Sequence, residues 1–259
     1  MKLKIVPART GILWVKLGIK TFFKQPLALA GMFFMFMASM SILSILPYIG
    51  SALALALLPA ATLGLMAATQ EAARGKFPMP SILITAFRAG QKQLRAMLVL
   101  GAIYALGFLL VMALSALIDG GKFAGLYLVG GSMSRELVMA PDFQLAMWFS
   151  MALYLPLSML FWHAPALVHW HGLPPLKALF FSLVACVRNF WAFSVFGLAW
   201  MALFMVVGVA VTTIAGLIGG PNAASAAMFP AAMLLAASFF TSIYFSFQDS
   251  FETASGENS

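Results

Sequence analysis

The sequence predicts an all-α membrane protein, a polytopic bundle of six transmembrane helices in one integral membrane domain, residues 1–259. No Asp, Glu, Lys or Arg occurs from Asn189 to Gln248, and a second uncharged run extends from Gln25 to Gln70. The chain is 63% hydrophobic and 8% charged, whereas about a quarter of the residues in a soluble domain are charged. Apolar runs of this length indicate helices that cross a bilayer.

Glycine and proline divide these runs into segments of bilayer length. The run after Asn189 would measure about 90 Å as a single helix, but the hydrocarbon core is only about 30 Å thick. We therefore expect breaks at residues 219–222, Gly-Gly-Pro-Asn, and at Pro47. Pro156 and Pro165 are expected to kink the fourth span. The six predicted spans are 26–46, 49–69, 94–118, 143–169, 190–218 and 227–247. The polar tail, 248–259, is predicted to be disordered and cytoplasmic.

The basic residues are distributed unevenly between the two sides of the predicted bundle. Of 15 Lys and Arg, all but Lys122 and Arg135 lie in the N-terminal segment, in residues 74–95 or in residues 177–188. The positive-inside rule then predicts that both termini are cytoplasmic and that Asp119–Asp142 is periplasmic. This clustering beside predicted spans argues against nucleic acid as the partner of a chain with net charge +8.

Short amphipathic segments precede the spans. In the first, Thr10–Gln25, an apolar face is predicted to lie in the cytoplasmic membrane interface, while the opposite lysine face meets anionic headgroups. The lysines of this segment are Lys16, Lys20 and Lys24, and its apolar face contains Val15, Gly18, Ile19 and Phe22, with Trp14 at the border. Residues 81–92 and 175–188 are weaker examples, and Lys92 and Arg188 are assigned the same headgroup-binding role.

A basic residue followed by an amide ends each amphipathic segment. The pairs are Lys24-Gln25, Lys92-Gln93 and Arg188-Asn189. They are consistent with three repeats, each consisting of an interfacial helix and a helical hairpin. Coincidence is the competing explanation, because any inner boundary of a membrane favours Lys or Arg.

Small residues recur four apart on the second predicted span, where they permit another helix to approach closely. They are Ala52, Ala56, Ala60, Gly64 and Ala68. Gly208, Thr212 and Gly216 repeat this spacing in the fifth span. Packing within the chain is favoured over a dimer interface in both cases.

Candidate chemical groups are few. His163, His169 and His171 lie at the end of the fourth span among tryptophans, and their spacing spreads them around a helix. An interfacial aromatic belt is favoured over a metal or haem site. We find no catalytic constellation and expect no cofactor. The predicted spans carry no ionisable Asp, Glu, Lys or Arg well inside them, which argues against a proton-coupled pump.

Two stretches of the sequence resemble a known family. The first is Ala8-Arg9-Thr10-Gly11 with Trp14, Gly18, Phe22 and Pro26, and the second is residues 161–167, FWHAPAL, with Gly172-Leu173-Pro174-Pro175, Ala178, Ser182 and Arg188-Asn189. They resemble an uncharacterised family of proteobacterial six-span inner-membrane proteins, which is distantly similar to the membrane domain of glycerophosphodiester phosphodiesterases. The resemblance implies a bacterial inner membrane and the same architecture, and it carries over no catalytic residue.

The sequence therefore favours a non-enzymatic inner-membrane protein that interacts with lipid or assists the organisation of other membrane proteins. Anionic lipids on the cytoplasmic side are the expected partners. A partner membrane protein and a homo-oligomer are further possible partners. One alternative is a permease for a small or amphipathic solute. Another is metal or haem handling by the region of the three histidines.

Overall fold

The computed structural model describes residues 2–47 and 49–251, most of which are helical. The helices are α1 (Thr10–Lys24), α2 (Pro26–Ser44), α3 (Gly50–Ala73), a 3₁₀ helix (Pro80–Ile84), α4 (Thr85–Arg88), α5 (Gln91–Asp119), α6 (Lys122–Leu128), α7 (Arg135–Met139), α8 (Pro141–Phe161), α9 (Ala164–His171), α10 (Pro175–Arg188) and α11 (Phe190–Ser250). Leu3 and Phe251 form an isolated antiparallel bridge. The predicted all-α class is confirmed for the described residues.

Five helical stretches in the described part of the chain are long and apolar enough to cross a membrane. They are α2, α3, α5, α11 and the stretch Pro141–His171, which contains α8 and α9. Their number confirms a multi-pass membrane protein. α2 ends at Ser44 and α3 begins at Gly50, so the uncharged run is broken around Pro47, as predicted. The backbone N–H of Gly50 donates to the Leu46 carbonyl at 3.0 Å.

The long helix α11 is broken in its middle. Gly220 has φ 74° and ψ −169°, which is not helical, and Pro221 follows it. The indole N–H of Trp200 donates to the Ser242 hydroxyl at 3.1 Å, although these residues would be about 60 Å apart along one straight helix. α11 is therefore a hairpin with two limbs, 190–219 and 221–250. The predicted break at this glycine–proline sequence is confirmed.

The fourth predicted span is interrupted rather than kinked as expected. α8 runs through Pro156 and ends at Phe161, and α9 begins at Ala164. Pro165 explains the position of the break, because a helical proline lacks an N–H donor and clashes with the carbonyl four residues before it, here that of Phe161. The Ser182 hydroxyl bridges the interruption: it accepts from the His163 backbone N–H at 2.9 Å and donates to the Met159 carbonyl at 2.8 Å.

The chain divides into two compact units, which are described separately. Unit 1 comprises 1–38, 61–88 and 184–259, and unit 2 comprises 39–60 and 89–183. In unit 1, α1 packs closely against both limbs of α11. A Cβ added to Gly11 would overlap the Ala192 carbonyl oxygen, and one added to Gly18 would lie 2.7 Å from the Ser242 Cα. These two glycines therefore allow backbone-to-backbone approach.

In unit 2, α5 packs against α8 around an aromatic cluster. The Tyr104 and Phe161 rings are 4.9 Å apart, and the hydroxyls of Tyr104 and Tyr154 form a hydrogen bond at 3.2 Å. In the predicted periplasmic segment after α5, the Asp119 carboxylate accepts backbone N–H bonds from Gly121 and Phe123. Side-chain hydrogen bonding thus fixes the beginning of α6.

The predicted C-terminal tail begins too early. Gln248–Ser250 continue α11, and Phe251 is 2% exposed. The backbone N–H of Lys4 donates to the Ser250 carbonyl at 2.9 Å, so the N-terminal segment pairs with this end of α11. The remainder of the predicted tail, 252–259, lies outside the described residues.

Candidate functional site

The lysine face predicted for α1 is present in unit 1. Lys16, Lys20 and Lys24 are all exposed. Ile12 and Phe23, which are 45% and 70% exposed, lie eleven residues apart and therefore on nearly the same side of the helix. They border the lysines, so the exposed face of α1 combines ammonium groups with apolar side chains.

The sequence predicts that the opposite, apolar face of α1 lies in the membrane interface. In the structure this face is buried in the protein, so that prediction is wrong. Trp14, Val15 and Phe22 are at most 7% exposed. The Trp14 indole N–H donates to the Asp249 carboxylate at 2.8 Å, and its ring lies 5.9 Å from that of Phe196. This face is buried against α11 because apolar side chains from another helix cover it as effectively as lipid would.

The three predicted basic–amide junctions differ in the structure. Gln25 and Asn189 do lie where one helix ends and the next begins. The second junction is at Gly90, whose φ of 98° and ψ of 165° end the preceding segment, and this corrects the prediction of Gln93. Gly90 is favoured here because the conformation requires a positive φ. Lys92 therefore lies in the first turn of α5, whereas Arg188 is exposed in the last turn of α10.

Lys92 lines a groove of about 710 Å³ in unit 2. One wall is the first part of α5, which contributes Lys92, Arg95 and Val99, and the other is the connection from α9 to α10. Gly172, with φ 63°, ends α9 and turns the chain towards Pro174. The sequence pattern predicts headgroup binding at Lys92 but not at Arg95, although both residues line this groove and lie three residues apart on one helical face.

The small-residue ridge of α3 lies at intramolecular contacts. In unit 2, a Cβ added to Gly101 of α5 would overlap the Ala56 carbonyl oxygen. In unit 1, a Cβ added to Gly64 would lie 2.7 Å from the Leu83 carbonyl oxygen. Along this ridge Ala60 and Ala68 are buried, and Ala52 is half-buried.

The similar spacing in α11 has a different environment. A Cβ added to Gly208 would meet open space, and Thr212 is exposed, with its hydroxyl donating to the Gly208 carbonyl at 2.8 Å. A Cβ added to Gly216 would make an ordinary contact with Ala224 on the other limb. Within the described residues, this set does not form the close helix contact that its spacing predicts.

The histidines do not share one environment. His163 is 0% exposed beside Ser182 in unit 2, which corrects its assignment to an interfacial belt. His169 and His171 are half-buried in the last turn of α9. In the described part of the chain, no three His, Cys, Asp or Glu side chains converge as a metal site. That the histidines bind no metal or haem stays a prediction.

The apolar helices define a polytopic integral membrane protein. Over 254 residues the chain is 38% identical to a probable inner membrane protein of Burkholderia thailandensis, with coverage of 97% of this chain and 94% of that protein. The chain therefore belongs to this family of inner membrane proteins. No family model matches it, and no solved structure matches it significantly.

Proposed function

We propose that this protein is a non-enzymatic component of the bacterial inner membrane that binds anionic lipids at the cytoplasmic leaflet. By holding lipid there it organises the bilayer around itself or assists the assembly of another membrane protein. The observation that carries the proposal is the exposed face of α1, where Lys16, Lys20 and Lys24 adjoin Ile12 and Phe23. Ammonium groups bind phosphate headgroups, while apolar side chains at their border enter the acyl boundary.

Replacing Lys16, Lys20 and Lys24 together by glutamine should reduce the number of anionic lipids retained by the purified protein. Each lysine contributes about 1 kcal/mol of attraction to an anionic surface, and all three are exposed, so the fold should persist. Native mass spectrometry in the presence of phosphatidylglycerol measures the retained lipid, and the melting temperature monitors folding.

The matched control replaces the same three lysines by arginine, which preserves the charge. This variant should retain phosphatidylglycerol as the wild type does. If the glutamine variant also retains it unchanged, the lysines act in topology alone and the proposed function fails.

We also propose six crossings of the membrane: α2, α3, α5, α8 with α9, and each limb of α11. Each limb of α11 has about 30 residues and measures about 45 Å, which is sufficient for a core of about 30 Å. With these six crossings, two crossings separate each basic segment from the next, so all the basic segments lie on one side of the membrane. The positive-inside rule assigns that side to the cytoplasm. The helices α1 and α10 then lie at the cytoplasmic interface.

Labelling should distinguish the two sides of this topology. We expect a membrane-impermeant maleimide added to intact spheroplasts to label the Ser132→Cys variant and not the Ser81→Cys variant. Both serines are exposed in the structure, and the proposed topology assigns them to opposite sides of the membrane. The native Cys186 gives little background, because it is 3% exposed and burial raises the pKa of its thiol to about 12. Labelling of Ser81→Cys alone would establish the inverted topology.

The other interpretations have less support. The cavity in unit 1 between Phe33, Thr69 and Thr241 has a volume of about 10 Å³, which is about the space of one water molecule, so it does not favour a permease. No converging set of ligands in the described residues favours metal or haem handling. The distant similarity to the membrane domains of glycerophosphodiester phosphodiesterases stays a prediction. It would imply a membrane domain that lies among lipids, and it would carry over no catalytic residue.

A further inference from the structure

The groove in unit 2 has a polar end and an apolar end. Lys92 and Arg95 lie in the first turns of α5, and Ala96 and Val99 continue the same wall. From Lys92 to Val99 the helix rises about 10 Å. A ligand that follows this wall therefore meets two cations first and hydrocarbon afterwards.

The polar end favours an anion. The first turn of α5 contains no acidic residue, and no side chain caps it, because Gly90 occupies the N-cap position. The backbone N–H groups of a first helical turn have no partners further back in the helix, and the helix dipole adds partial positive charge there. Lys92 and Arg95 add two full charges at the same place.

The facing wall favours hydrocarbon. It includes Val168 of α9, Leu173 and Pro174. Val168 is 1% exposed and thus a fixed part of the wall, and proline offers no backbone N–H to a polar ligand. A volume of about 710 Å³ lies within the usual range for small-molecule sites, so the groove accommodates a headgroup and part of a chain.

We propose that this groove binds one anionic phospholipid, with its phosphate at Lys92 and Arg95 and an acyl chain along Ala96 and Val99. This inference rests on the proposed lipid-binding function and adds a discrete site to the diffuse lysine face of α1. A free inorganic anion would use the polar end alone and leave the apolar wall uncovered. A zwitterionic lipid would bring a choline cation towards the same two basic side chains.

The test compares two groove variants with a control of equal charge. Native mass spectrometry of the full chain measures retention of phosphatidylglycerol at rising collision energy, with phosphatidylcholine and inorganic phosphate as competitors. The wild type should keep one phosphatidylglycerol after all others have dissociated. The double variant K92Q/R95Q should bind it about 30-fold more weakly, which follows from the loss of two charges.

Ala96→Phe keeps both charges and fills the apolar part of the groove, so it should also lose the last lipid. The control R88Q/K177Q removes two exposed basic residues that do not line the groove, and it should keep the lipid. Melting temperatures exclude unfolding as the cause of any loss.

Three results would overturn the inference: both groove variants keep the last lipid, the control loses it equally, or millimolar inorganic phosphate displaces it. The glutamine variant of Lys16, Lys20 and Lys24 separates this site from the proposed function. It should lose the weakly held lipids and keep the last one. If that variant loses lipid while the groove variants do not, the groove proposal fails and the proposed function stands.

Discussion

Replacing Gly18 by alanine should lower the apparent melting temperature of the purified protein by about 5 °C. The new Cβ would lie 2.7 Å from the Ser242 Cα, and a backbone atom cannot move aside as a flexible side chain does. α1 must therefore separate from α11, and overpacking of this kind costs about 1–3 kcal/mol, or roughly 2–4 °C for each kcal/mol in a chain of this size. A thermal unfolding assay in detergent measures the change.

The matched control is Gly197→Ala, the same substitution within α11. A Cβ at Gly197 meets nothing within 4 Å, and alanine is favoured over glycine inside a helix by about 1 kcal/mol. This control should be neutral or stabilising. If the two variants have the same apparent melting temperature, or if Gly18→Ala has the higher one, the close contact of α1 with α11 does not contribute to stability as inferred.

Helix boundaries were predictable where local sequence signals are strong. The predicted segment Thr10–Gln25 corresponds to α1, which begins at Thr10, and the predicted segment 175–188 has the bounds of α10. The break at Gly220 also follows locally, because glycine tolerates positive φ and proline restricts the residue before it. Charge-free runs likewise indicated the long apolar helices from composition alone.

Burial partners could not be predicted in the same way. An apolar helical face has the same periodicity whether it meets lipid or protein, so Trp14 was assigned to the interface although it is buried against α11. The groove has a related cause: Arg95 and Leu173 line one site but are far apart in sequence. Only the packing of α9 and of the connection that follows it near the start of α5 brings the basic and apolar walls together.

The residues that carried the family resemblance illustrate this limit. Gly11 and Gly18 permit close helix approach, Ser182 bridges the interruption between α8 and α9, and Asn189 binds the N-terminal segment. Each of these contacts depends on a partner that is distant in sequence, which local patterns cannot identify.

The side chain of Asn189 binds the N-terminal segment of unit 1. It lies between α10 and α11 and is 2% exposed. Its amide oxygen accepts from the Val6 backbone N–H at 2.8 Å, and its amide nitrogen donates to the Lys4 carbonyl at 3.0 Å. The N-terminal segment, which also pairs with Ser250, is therefore fixed by a side chain more than 180 residues later.

Asn189→Ala should release this segment and accelerate tryptic cleavage after Lys4 and Arg9 about 10-fold. Alanine removes both hydrogen bonds, each worth about 0.5–1.5 kcal/mol, and 1.4 kcal/mol corresponds to a factor of ten in the open population that protease reaches. Limited proteolysis followed by mass spectrometry measures the rate. Asn222→Ala, at an exposed asparagine of α11, is the matched control and should leave cleavage unchanged. Equal rates for Asn189→Ala and the wild type would show that the backbone pairing with Ser250 and Phe251 holds the segment without Asn189.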